Sequence, residues 1–172
     1  MKLGYLYLFM FISTIFLANY LIGNVGLGCN PVCVIPVWPG IYAPSGVLAI
    51  GLGFTLRDLV QRHLGVRWTV LAIIAGAGLS VLLSPSLALA SGVAFLLSET
   101  LDLAIYTPLQ RRNLMGAVMA SNVVGLIVDS VVFLTLAFGS LAFLPGQIIG
   151  KALMTLVALP VIWLIRKREL VR

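Results

Sequence analysis

The chain alternates between long apolar runs and short polar breaks, and the runs are long enough to cross a membrane. Residues 3–22 form the first run. Further runs fall at 45–60, 66–83, 87–106, 114–138 and 146–165. About 20 apolar residues, rising 1.5 Å each, span a bilayer's hydrocarbon core, so the pattern predicts about six transmembrane helices. Turn residues punctuate the runs. Ser84-Pro85-Ser86 reads as a tight outer turn, Thr107-Pro108 as the end of the fourth helix, and 139–145 as another outer turn. No low-complexity stretch or internal repeat interrupts a single domain over 1–172.

The segment 23–44 breaks the pattern. It holds Pro31, Pro36, Pro39 and Pro44 and several glycines, so it is no regular helix. Yet it carries no charge and includes Val34, Ile35, Val37, Trp38, Ile41 and Tyr42. Irregular backbone at membrane depth survives only where protein or a water-filled cavity covers it. The segment is therefore a candidate lid over a site, with interfacial packing as the plainer alternative. Cys29 and Cys33 lie within it and read first as free thiols, although an outer loop permits a disulfide. With a single histidine elsewhere, they make no zinc site.

Composition agrees with the pattern. Hydrophobic residues make up 61% of the 172 and charged residues 9%, against about a quarter charged in a soluble domain. The expected fold class is all-α, a polytopic integral membrane protein, with no room for a nucleotide-binding domain. The net charge of +6 reads as orientation rather than nucleic-acid binding. Lys2, Arg62, Arg67, Arg111, Arg112 and the cluster Arg166, Lys167, Arg168 and Arg172 fall in alternate loops or at termini, while the outer loops hold no Lys or Arg. The positive-inside rule then places both termini in the cytoplasm. Lys2 followed by a long apolar run reads as an uncleaved first helix rather than a signal peptide. Trp38, Trp68 and Trp163 fall near the expected interfaces, and His63 reads as a solvated loop residue.

Ionisable residues inside the runs are the candidate chemistry. Each costs about 2.5–3.5 kcal/mol near the bilayer centre, so each must pair, face a cavity or bind something. Ser91, Phe95, Glu99, Asp102 and Tyr106 share one face of the fourth helix. Asn122, Asp129 and Phe133 share a face of the fifth, and Gln147 and Lys151 lie one turn apart on the sixth. Depth along the helices places Asp129 and Lys151 level, predicting an ion pair with a structural or gating role. Glu99, Asp102 and Asn122 fall together in the inner half, with no cation in their plane unless Arg57 supplies one. Arg57-Asp58 reads as a local ion pair at the inner end of the second helix. Small residues at Gly46, Gly51 and Gly53, and at Gly116, Ala117, Ala120, Ser121 and Gly125, allow close helix packing.

Three blocks resemble the YhhQ-type queuosine precursor transporters, the vitamin uptake transporter (VUT) family. They are Ala43-Pro44-Ser45-Gly46 leading to Phe54-Thr55-Leu56-Arg57-Asp58; Ala90-Ser91-Gly92-Val93-Ala94-Phe95-Leu96-Leu97-Ser98-Glu99 with Asp102 and Tyr106; and Ser121-Asn122 with Asp129, then Ala137-Phe138. The stretch from Cys29 to Pro39 has no counterpart in the pattern. The resemblance implies import of 7-cyano-7-deazaguanine or its aminomethyl relative. A guanine-like edge offers a ring N–H beside an amine, and a carboxylate accepts both. Glu99, Asp102, Asn122, Phe95, Tyr106 and Asp129 are thus the expected substrate-binding residues, with an aromatic ring (Phe95, Tyr106 or Phe133) covering the flat base.

The expected partners are a small purine-like substrate and membrane lipid, without nucleic acid, cofactor or metal; a homo-oligomer or an energising subunit stays open. One alternative is the substrate-binding subunit of an ATP-driven uptake complex. An intramembrane enzyme is disfavoured because no Gly-x-Ser-x-Gly or His-Glu-x-x-His occurs; a purely structural subunit is disfavoured by the number of buried charges.

Overall fold

The computed structural model describes residues 2–30, 32–83 and 88–170. In these residues the chain forms six helices and one hairpin: α1 (Lys2–Asn24), β1 (Val34–Trp38), β2 (Ile41–Pro44), α2 (Val47–Leu64), α3 (Val66–Leu83), α4 (Ala88–Leu109), α5 (Leu114–Phe138) and α6 (Leu144–Leu170). The outer turn at 84–86 and Arg172 lie outside the described residues. By length and composition, α1, α4 and α5 are apolar enough to cross a membrane; Val66–Gly76 and Leu144–Ala158 are shorter apolar stretches. Large apolar side chains such as Phe9, Leu71, Ile74, Leu89 and Val157 point outward, the inverse of a soluble protein and suited to a lipid surround.

The helix ends follow local chemistry. Gly65, at φ 85°, separates α2 from α3, and Gly139, left-handed at φ 61°, closes α5 by donating to the Thr135 carbonyl; both conformations favour glycine. Asn113 caps α5 by accepting from the Gly116 N–H. Pro108 does not end α4 as the sequence suggested. It falls within the last turn, where Thr107 Oγ1 donates to the Leu103 carbonyl at 2.6 Å. Helix α2 also runs a turn beyond its expected end at residue 60. That extension takes His63 out of the loop: its ring meets Tyr7 edge-on at 5.1 Å.

The largest departure is at 23–44, where much of the segment expected to be irregular forms an antiparallel hairpin with Val34 opposite Pro44 and Ile35 opposite Ala43. A lone two-stranded hairpin is marginal in water, and this one is tied down. Cys29 and Cys33 are bonded, which corrects the free-thiol reading. The buried Cys33 donates its N–H to the Ile22 carbonyl at 2.9 Å and accepts from Ser45 N–H at 2.9 Å, while Ser45 Oγ donates to the Leu21 carbonyl. Alternating apolar residues gave no clean strand signal because Pro36 and Pro39 interrupt them and a register shift follows Pro36.

Helix α2 is the axis of the bundle, packing against each of the other five helices. Its glycines permit this. A Cβ at Gly53 would sit 3.0 Å from Thr14 Oγ1 of α1, and one at Gly51 would sit 2.9 Å from Lys151 Cα and from Met154 Cβ of α6. The hairpin rests on the start of α6, where Gly146 abuts the Tyr42 carbonyl and Gly150 faces Val37 and Val47. Gly51→Val is expected to destabilise the bundle by about 1–3 kcal/mol through overpacking against α6 backbone. Thermal unfolding in detergent checks this; an unchanged midpoint would contradict the close approach.

Candidate functional site

Two polar clusters sit inside the bundle. The first is built on Arg57. Because α2 continues to Leu64, Arg57 lies mid-helix rather than at an interface, and its side chain is fully buried. Its Nη1 lies 2.7 Å from Asp58 Oδ1 and its Nε 3.0 Å from Glu99 Oε2, while Nη2 pairs with Asp102 Oδ1. The Tyr106 ring lies beneath the guanidinium, 5.7 Å from centroid to Cζ, in cation–π range. The spacing of Glu99, Asp102 and Tyr106 along α4 aims all three at α2. Arg57, read from sequence as an interfacial anchor, is thus the hub of a three-carboxylate cluster.

Helix α5 closes the other side of this cluster. A Cβ at Gly125 would sit 3.1 Å from Asp102 Oδ2, so a glycine there lets the carboxylate approach the α5 backbone. Asn122 lies on the same α5 face, one turn before Gly125. It is fully buried, and among the described residues neither of its amide atoms has a hydrogen-bond partner. The same holds for Glu99 Oε1 and the Tyr106 hydroxyl. Buried polar groups are nearly always satisfied, so this group of orphans is unusual.

The second cluster joins α5 and α6. Lys151 Nζ lies 2.5 Å from Asp129 Oδ2 and 2.7 Å from Ser130 Oγ, the level pairing expected from helical rise. Ser130 was not anticipated; it is the residue beside Asp129 and donates in turn to the Leu126 carbonyl at 2.6 Å. Lys151→Met is expected to cost about 3–5 kcal/mol, because it strands a buried carboxylate. Adding Asp129→Leu should restore most of the loss. Melting both variants checks this, and an equally unstable double variant would contradict it.

A cavity of about 70 Å³ opens beside the second cluster. A single water needs about 10–15 Å³, so the space holds several waters or a small solute. Its walls come from α1 (Asn19), α2 (Val47, Ile50), α4 (Ser91, Phe95), α5 (Asp129, Phe133) and α6 (Gln147, Lys151), with Pro44 of the hairpin at its edge. Asn19 carried no sequence signal, being one of a few uncharged polar residues, with Ser13 and Thr14, scattered in an apolar run. Of the expected substrate residues, Phe95 and Asp129 line the cavity. Glu99, Asp102, Asn122 and Tyr106 do not; all four are fully buried, and Glu99, Asp102 and Tyr106 surround Arg57. The two groups adjoin, since Glu99 lies one turn from Phe95 and feels the charge of Asp129. Phe95 itself stacks on Phe11, with centroids 6.1 Å apart.

An all-helical bundle with outward apolar side chains and a polar interior beside a cavity has the build of a membrane solute transporter. Residues 80–165, half of the chain, match the family model described as "Putative vitamin uptake transporter", and the chain belongs to that family. The matched region spans α4, α5 and most of α6, and so contains Glu99, Asp102, Asn122, Asp129 and Lys151. No curated protein and no solved structure matches the chain.

Proposed function

We propose that this protein imports a queuosine precursor, 7-cyano-7-deazaguanine or its aminomethyl relative, through the cavity between α1, α2, α4, α5 and α6. The observation that carries this reading is that Phe95, Phe133 and Asp129 line the same cavity. Aromatic faces suit a flat bicyclic base, stacking contributing about 1–3 kcal/mol per base in other systems. A carboxylate suits the adjacent N–H donors of its guanine-like edge. The cavity is the first station. The second is the set Glu99, Asp102, Asn122 and Tyr106, closed in this conformation, whose unpartnered Glu99 Oε1 and Asn122 amide match the donors and the carbonyl of the same edge. Passage from one to the other requires the helices to rearrange around Phe95, in the manner of alternating access. The basic termini and loops support six crossings with both ends cytoplasmic, which sets the hairpin and the cavity toward the outside.

The test is complementation. A prokaryotic host that neither makes nor imports queuosine precursors is given this chain alone and the free base, and queuosine in its tRNA is scored. Restored queuosine is the expected result. None, with the protein present in the membrane, would overturn the reading; restoration only with an added ATPase would move it to an energised complex.

A further inference from the structure

The buried charges do not balance. Among the described residues, four carboxylates (Asp58, Glu99, Asp102 and Asp129) and two bases (Arg57 and Lys151) are buried inside the bundle. Lys151 and Asp129 pair one to one. Arg57 is shared among the three remaining carboxylates, so with all three ionised the first cluster would carry two uncompensated negative charges. Uncompensated buried charge is unstable in a low-dielectric interior, and more so within a membrane. Compensation must come from something other than these side chains.

The surroundings provide for it. The Arg57 contacts engage one oxygen of each carboxylate. Ser121 of α5 lies against Asp58 and Asp102. The fully buried Asn122, on the α5 face that meets Asp102, has no partner for either amide atom, and Glu99 Oε1 and the Tyr106 hydroxyl have none either. The groups facing the cluster from each packed element are Arg57, Asp58 and, toward Tyr106, Arg62 from α2; Glu99, Asp102 and Tyr106 from α4; and Ser121, Asn122 and Asp129 from α5, the last neutralised by Lys151 of α6. Among the described residues no group of three or more acidic, histidine or cysteine side chains is placed to hold a metal ion, whereas each carboxylate can take a proton.

We propose that the Arg57–Asp58–Glu99–Asp102 cluster binds protons, whose inward movement drives uptake of the substrate. The binding part stands on charge and geometry alone; the coupling part rests on the transport reading above. Asp58 is the residue to test, because it has no part in the proposed recognition of the base. Removing both Asp58 and Asp102 leaves Arg57 paired with Glu99, a neutral cluster that needs no cation.

Two measurements on the purified full chain separate the parts. Thermal unfolding is recorded across pH at fixed salt, and in sodium chloride against choline chloride at fixed pH. A cation held only by the folded state stabilises it by mass action. Wild type is therefore expected to melt higher as pH falls and to melt alike in the two salts; a midpoint that answers to sodium and not to pH overturns the proton. Asp58→Asn should lose part of this response, and Asp58→Asn with Asp102→Asn should lose it. A wild-type midpoint indifferent to pH, or a double variant that responds as wild type does, overturns the proton site. In proteoliposomes, 7-cyano-7-deazaguanine should accumulate when an inward proton gradient is imposed and not under an inward sodium gradient alone, and Asp58→Asn should lose that accumulation. Accumulation without the proton gradient overturns the coupling. No uptake of the base under any gradient, with the melting response intact, sinks the substrate reading and leaves the proton site standing.

Discussion

Arg57→Met is expected to lose most of its folded population. The substitution keeps the packing volume of α2 roughly constant but leaves Asp58, Glu99 and Asp102 buried together without the guanidinium they share. Breaking a buried ion pair by removing one partner costs about 3–5 kcal/mol, and a folded protein has about 5–15 kcal/mol in total. Here one removal strands three partners, and like charges at this separation add to the loss. The expected readout is a collapse of the monodisperse peak in detergent and little protein in the membrane. A compensated variant keeps the idea testable. Arg57→Met combined with Asp58→Asn, Glu99→Gln and Asp102→Asn removes every charge in the cluster and should fold, although it should not transport. A stable Arg57→Met single variant would show that the cluster is not held by this guanidinium.

The second large effect concerns transport rather than folding. Glu99→Gln and Asp102→Asn each keep the shape of the side chain while exchanging an acceptor oxygen for a donor. If these carboxylates hold the N–H edge of the base, each substitution loses a charge-assisted hydrogen bond, about 1.5–3 kcal/mol. At 1.4 kcal/mol per factor of ten, uptake at low substrate should fall roughly 10- to 100-fold. Both variants lower the buried negative charge, so neither should be lost to misfolding. Initial rates of labelled base uptake, normalised to protein in the membrane, check this. Wild-type rates in both variants would remove these residues from the substrate's path.

How much of this was legible in the sequence depends on what kind of signal carried it. The helices were legible because lipid imposes a simple rule, long apolar runs with polar breaks; the run 114–138 coincides with α5 (Leu114–Phe138) and the run 66–83 with α3 (Val66–Leu83). The Asp129–Lys151 contact was legible because helical rise converts residue number into depth. The hairpin was not, since prolines and a register shift hide its alternation, and the disulfide beside it depends on a fold that spacing cannot supply. Arg57 was misplaced for an energetic reason. An arginine near the end of an apolar run reads as interfacial, because a guanidinium inside a membrane is costly unless acids surround it. Here Asp58 is its neighbour on α2, but Glu99 and Asp102 come from α4, about 40 residues later in the chain, and only tertiary packing brings them in. The division into a cavity with Phe95 and Asp129 and a closed set around Arg57 was likewise invisible, because both sets share the same helix faces.

The decisive measurement concerns the cavity wall. Ser91 lines the cavity beside Phe95 and takes no part in either charged cluster. In a Ser91→Cys variant, with the native pair Cys29 and Cys33 bonded to each other, a small membrane-permeant thiol reagent should react at position 91 and stop uptake, and excess 7-cyano-7-deazaguanine should slow the reaction. A variant that is fully modified at this position and still imports the base at its unmodified rate would show that the substrate travels elsewhere.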